Sequence, residues 1–343
     1  MTRTSTIGSS SRDYATPALW IASLVTIGTL TEQEIGDCYN DSEFTVTTAI
    51  SFTGFVPASG KEAILKAASG QGFADHANAQ TNAPRYNQSN GVGIRTTTSY
   101  IQVISMTLDY IIIRGLQIKN DGTGNSDGTT YNNETGATHS EVSRCILETT
   151  SNSNPFIARM RTGIFVSNIC VMHRSAGGSG VTVDYAGTLV VIGNTVVRPS
   201  DKTAAGSGFH AFSGTTTLTN NAIFGFTNSV SNTSRFAGTN NCSDVTLGFG
   251  SSQFESKTYA NQFVNTAAAT LDLRIKDTSA DLYNNGATSA TYDATDIVNT
   301  ARPQGVAYDI GAWELVVASG NLFMFSQLNG LGSGGPFFNN RLG

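Results

Sequence analysis

The sequence predicts an all-β fold: a right-handed parallel β-helix with a short N-terminal cap helix and a C-terminal extension. Three observations predict it. Short apolar segments recur at Asp109–Ile118, Val142–Leu147, Phe165–Val171, Val191–Val197 and Leu218–Phe224. Aligned on Gly115, Arg144, Asn168, Asn194 and Asn221, they step by 29, 24, 26 and 27 residues, and a period of about 20–50 residues marks a stacked-repeat fold. The units are β-branched, and Gly, Ser, Asn and Thr fill the intervals, which reads as strands and turns rather than helix pairs. A second strand set, Phe156–Met160, Val181–Tyr185 and Gly208–Phe212, advances by one coil at a time.

One coil cannot bury its own apolar face. Stacked coils pair strand on strand and enclose a continuous core. A polar residue recurring at one coil position can stack into a ladder, because an Asn amide both donates and accepts. Asn168, Asn194 and Asn221 are the expected rungs.

Residues 1–60 read as an N-terminal cap or attachment segment. Asp13–Leu24 forms a short amphipathic helix, with Thr16 as its cap and Pro17 at its first position. Such a helix covers the open end of a solenoid, whose bare strand edges invite aggregation. Phe44–Phe55 and Ala63–Ala68 are the first coil strands, and residues 73–93 form a polar loop. The β-helix is assigned to 61–314, with its clearest repeats over 96–250. Residues 315–343 follow as an apolar anchor or capping tail. Its candidate partner-binding residues are Phe323, Phe325, Leu328, Phe337, Phe338 and Leu342. A free tail with that content is poorly soluble by itself, so it either caps the last coil or docks into a partner.

Charged residues make up 13% of the chain, the net charge is −5, and there is no basic stripe. Nucleic-acid binding is therefore not expected. No apolar run approaches the ~20 residues a membrane helix needs. The opening residues lack an apolar core, so no secretory signal peptide is expected, and export inside an assembled particle remains open. The four cysteines fit neither a zinc site nor a small disulfide scaffold. Cys145 and Cys170 read as buried small hydrophobes. His139 and His173 lack metal-ligand spacing, and Asp121–Gly128 lacks the glycine and glutamate of a calcium loop. No metal or cofactor is expected.

Glycoside hydrolysis needs two carboxyl groups flanking the scissile bond. Strand alternation turns Arg159, Asp184 and His210 outward on three successive coils. These three are the candidate catalytic residues, with one carboxylate too few for hydrolysis. Arg159 and His210 could serve a lyase as charge neutraliser and base. The plain alternative is a surface ladder that stabilises coil stacking.

The closing segment carries a family resemblance. Leu271-Asp-Leu-Arg-Ile275, Ser279-Ala280, Asn285-Gly286, Asp296, Arg302 and Asp309-Ile-Gly-Ala-Trp-Glu314 occur in that order. This phrase, about 50 residues long, resembles the end of many right-handed parallel β-helix proteins of the pectin-lyase-like type. The opening Ile7–Thr16 resembles the start of bacteriophage-encoded β-helix proteins. The resemblance implies a structural virion protein assembled in the host cytoplasm: a capsid decoration, spike or fibre. Its partners would be other virion proteins or copies of itself, as in a homotrimer, with a host surface glycan as a further ligand. Two alternatives stand beside it. One is a polysaccharide-degrading tailspike-type enzyme. The other is a non-catalytic carbohydrate-binding module, with Tyr185 and Phe212 stacking on sugars.

Overall fold

The computed structural model describes residues 1–123, 128–132, 139–150, 156–174, 177–183, 188–202, 205–288 and 294–317. Among these residues the strands form three parallel sheets, of nine, eight and seven strands, and one antiparallel pair. Each coil visits the sheets in the same order. Ile111–Arg114 lies in the nine-stranded sheet, Gln117–Asn120 in the eight-stranded one and Thr130–Asn132 in the seven-stranded one. Glu141–Ser143 then returns to the first sheet, paired in parallel with Ile111–Arg114. This is the parallel β-helix expected from the repeats.

The core follows from strand alternation. In the nine-stranded sheet, Leu65, Ile113, Val142, Phe165, Val191 and Leu218 stack in register and are fully buried. Ile94, Ile118, Leu147, Cys170, Val196 and Ile223 do the same in the eight-stranded sheet.

The corner between these two sheets holds the expected ladder. Asn168, Asn194 and Asn221 are fully buried. Asn194 Oδ1 accepts from the backbone and side-chain nitrogens of Asn168 at 2.9 and 3.1 Å. Asn221 Oδ1 accepts the same pair from Asn194 at 3.0 Å each. The ladder is longer than the sequence suggested. Asn168 Oδ1 takes the amide of Cys145 below, and Asn241 Oδ1 takes Asn221 above. Gln253 receives the amide of Asn241 and turns its own NH2 to Gly238 and Phe249 carbonyls, which terminates the column.

One alignment needs correction. Gly115 and Arg144 do not share the rung position with Asn168. They share the preceding one with Ser167, Gly193, Asn220 and Asn240, all at φ between 51° and 68°. The common property of that position is a left-handed turn, which Gly and Asn adopt most readily. Cys145 therefore occupies a rung position while Cys170 pairs with Leu147, so the two cysteines are buried but not equivalent.

The ends also differ from the expected boundaries. Thr2–Ile7 and Gln33–Cys38 are already strands of the nine-stranded sheet, so coils begin well before residue 61. The cap helix is Pro17–Ile27, with the Thr16 hydroxyl accepting from the Leu19 amide at 3.3 Å. Its Trp20 is fully buried and meets Phe52 edge-on at 6.2 Å. At the other end, the coils stop near the bridge between Cys242 and Phe254. The chain does not continue as solenoid to 314. Residues 259–288 and 294–313 instead fold back along the outside of the eight-stranded sheet. There Phe263, Leu273, Ile310, Ala312 and Trp313 cover the outward-facing Ile146, Ile169, Val171, Val197 and Phe224. An apolar outer face cannot stay bare, and this layer is the reason the closing segment exists.

Candidate functional site

Of the expected catalytic column, Arg159 and His210 lie among the described residues and Asp184 does not. Backbone pairing sets Arg159 opposite Thr182, and Thr182 opposite His210. The middle member is therefore a buried threonine, and Arg159 and His210 stand two strand spacings apart, roughly 10 Å. The Arg159 guanidinium lies over the Phe156 ring at 5.5 Å, and the His210 imidazole bonds the Ser231 hydroxyl. Asp184 and Tyr185 lie outside the described residues, as do Phe323, Phe325, Leu328, Phe337, Phe338 and Leu342.

Among the described residues, a dense group of charges sits on the early coils of the eight-stranded sheet. Arg95, Lys119 and Glu148 are in register on three successive strands, facing away from the core. Lys119 Nζ lies 3.4 Å from Glu148 Oε1 and 3.6 Å from Asp121 Oδ1. Arg95 reaches Asp121 at 2.6 Å and Glu43 at 4.0 Å. His173 Nε2 is 3.4 Å from Glu148, and the Thr150 hydroxyl bonds Asp121. The signal was present in the sequence. Gln117-Ile-Lys119 and Ile146-Leu-Glu148 end on opposite charges at one coil position, which alignment on the neighbouring strand set alone does not reveal.

The loop over 73–92 covers this face. Tyr86 donates its hydroxyl to Glu43 at 2.6 Å and its amide to Glu148 at 3.2 Å. Gln117, fully buried, bonds the Asn87 amide and the Asn87 and Gly91 carbonyls, pinning the loop to the sheet. Burial alone would raise the Glu148 pKa. The hydrogen bond and charge of His173, followed by Lys119 and the Tyr86 amide, outweigh it and hold the carboxyl below its usual range. Burial, then Glu43, pushes the Tyr86 phenol upward.

Chemically, this is a closed network. A lyase base needs an accessible lone pair, whereas the Lys119 amine is held between the Glu148 and Asp121 carboxylates. A hydrolase needs one protonated and one ionised carboxyl facing a cleft, whereas Glu148 and Asp121 are both committed to cations.

A second buried network lies in the closing segment. The Arg302 guanidinium, with its side chain wholly buried, lies 3.6 Å from Glu314 and donates to the Gly311 and Asp309 carbonyls at 2.7 and 3.3 Å. Asp309 accepts the Asn284 and Leu315 amides, Glu314 accepts those of Gln304 and Asp309, and Asp296 accepts that of Glu314. Burial pushes Asp296 up to about 6, and burial with the Glu314 charge pushes Asp309 up to about 7. Gly311 explains the glycine of the motif. Its φ is 102°, and a Cβ there would sit 2.7 Å from the Thr195 hydroxyl. Its amide bonds the Asn220 carbonyl on the solenoid corner, and the Ala312 amide bonds Thr195. The Asp309–Glu314 run thus clasps the closing segment to the solenoid.

The stacked coils define the class: a parallel β-helix protein. No family model and no curated protein matches the chain. Among solved structures, it is similar to the crystal structure of pectate lyase Pel9A. The identity is 14% and the TM-score 0.46, with 85% of this chain and 90% of that chain covered.

Proposed function

We propose that this chain is a structural β-helix component of a bacteriophage particle, a spike, fibre or capsid decoration, and not an enzyme. One observation carries the reading. The richest cluster of charged side chains is paired within itself beneath a loop, so that face holds the stack and its cover together and offers no poised acid or base. The resemblance of Ile7–Thr16 to phage-encoded β-helix proteins supports the setting. Residues 315–343 would serve as the attachment element, toward other virion proteins or copies of the chain.

The test is incubation of the purified chain with acidic and neutral polysaccharides, followed by size analysis of the products. No shortening of the chains is expected. Release of oligosaccharides that is abolished by Lys119→Ala would establish the polysaccharide-degrading alternative at the covered cluster. Release abolished only by Asp184→Ala would place it on the seven-stranded sheet.

A further inference from the structure

The root of the C-terminal tail adjoins a groove of about 470 Å³ lined by Val264, Ile275, Trp313, Leu315 and Val316, with the polar Gln80, Arg274 and Lys276 also in its wall. Val264, Val316 and Val317 are each about half exposed, at 46, 50 and 49%. Ile275 and Trp313 are nearly buried there. Arg274 is tied to Asp272 at 2.6 Å, so it does not repel an apolar occupant. The described chain ends at Val317, beside this groove.

We infer that the groove is the docking site for Leu322–Phe325 of the same chain. Three features select that occupant. The segment is apolar and aromatic, and a phenyl ring packs favourably on indole and on a guanidinium plane. Only Ala318, Ser319, Gly320 and Asn321 separate it from Val317. Ser-Gly followed by Asn is a turn signal between two apolar runs. The five residue steps from Val317 to Leu322 span at most about 17 Å, enough to return along the groove and too short to reach a distant surface. The docked root fixes where the tail leaves the body. Phe337, Phe338 and Leu342, beyond the glycine-rich Gly330–Gly335 stretch, are left to a partner, a role that rests on the attachment reading above.

Disulfide trapping tests this. The four native cysteines are buried, so a pair introduced at the surface reports alone. Val264→Cys with Met324→Cys leaves both phenyl rings of the segment in place. Mild oxidation of the dilute full chain is expected to close an intrachain bond in this pair, and not in Val264→Cys with Asn339→Cys. Equal closure of both pairs, or closure of neither, would overturn the proposal. A cross-linked dimer that grows with protein concentration would overturn it too, by assigning the groove to a second copy. Because trapping is read on the isolated chain, its outcome is independent of whether the chain is found on a particle.

Discussion

Asn194→Ala is expected to destabilise the β-helix by roughly 3–5 kcal/mol, read as a fall in the urea midpoint with little change in slope. The Asn194 side chain accepts two bonds from Asn168 and donates to the Phe165 and Ile192 carbonyls and to Asn221 Oδ1, at 2.9–3.1 Å. Alanine provides none of these, so the Asn168 amide and the Phe165 carbonyl lose partners in a site without water access. Each buried orphan costs about 1–3 kcal/mol. The lesion lies at a middle rung, where coils on both sides depend on it. Asn241→Ala, one rung from the terminating Gln253, should cost less. Asn240→Ala tests a different property, the left-handed turn. A loss below about 1 kcal/mol for Asn194→Ala, the scale of one ordinary hydrogen bond, would show that the ladder does not hold the stack.

Arg302→Met should release the closing segment at a cost of about 3–5 kcal/mol, the range found when one partner of a buried ion pair is removed. Glu314 would lose its cation, and the Asp309 and Gly311 carbonyls their donor. The expected phenotype is local. Residues 259–317 become sensitive to protease and the solution binds an apolar dye, because Ile146, Ile169, Val171 and Phe224 lose their cover. The strand signal of the coils persists. The loss should grow as pH rises. Asp296 and Asp309 already have raised folded pKa values, so their contribution is present at low pH and fades as pH passes through about 6 and 7. Arg302 is a charge that holds both values down, and without it the ionised carboxyls are costlier still. A variant that resists protease like the parent at all pH values would show that the clasp is not held by Arg302.

The fold was legible because its periodic signal is carried by positions that every coil must satisfy. The inward strand residues and the Asn rungs repeat at one coil position, and both were readable without coordinates. The cap helix was equally plain, since Thr16 and Pro17 are a local signal. The off-by-one placement of Gly115 and Arg144 arose because left-handed turns accept Gly, Asn, Ser and Arg alike here, so residue type did not mark the position. The end of the solenoid was missed for a different reason. Strands such as Asp272–Ile275 look alike in sequence whether they join a coil or fold back over one, and only the outward apolar residues Ile169, Val171 and Val197 betray the need for a cover. The outward column is described only in part, since Asp184 lies outside the described residues. Thr182 pairs with Arg159 and His210, and strand alternation alone cannot fix which residue of a neighbouring coil lies opposite. The charged cluster on the other sheet was legible in part: Arg95, Lys119 and Glu148 recur at one strand position, whereas Glu43, Asp121 and Tyr86 join them from outside the strands.

Imaging the assembled particle most directly tests the structural role proposed for this chain. Particles should be reconstructed from host cells carrying either the full chain or a chain ending at Val317. The full chain is expected to appear as an ordered three-sheet solenoid on the particle surface, with its closing-segment end toward the body it is attached to. Particles made with the truncated chain should lack that density while the truncated protein accumulates folded in the lysate. Finding the full chain absent from purified particles, and free in the lysate with polysaccharide-cleaving activity, would contradict the structural role and leave an enzyme built on the same coils.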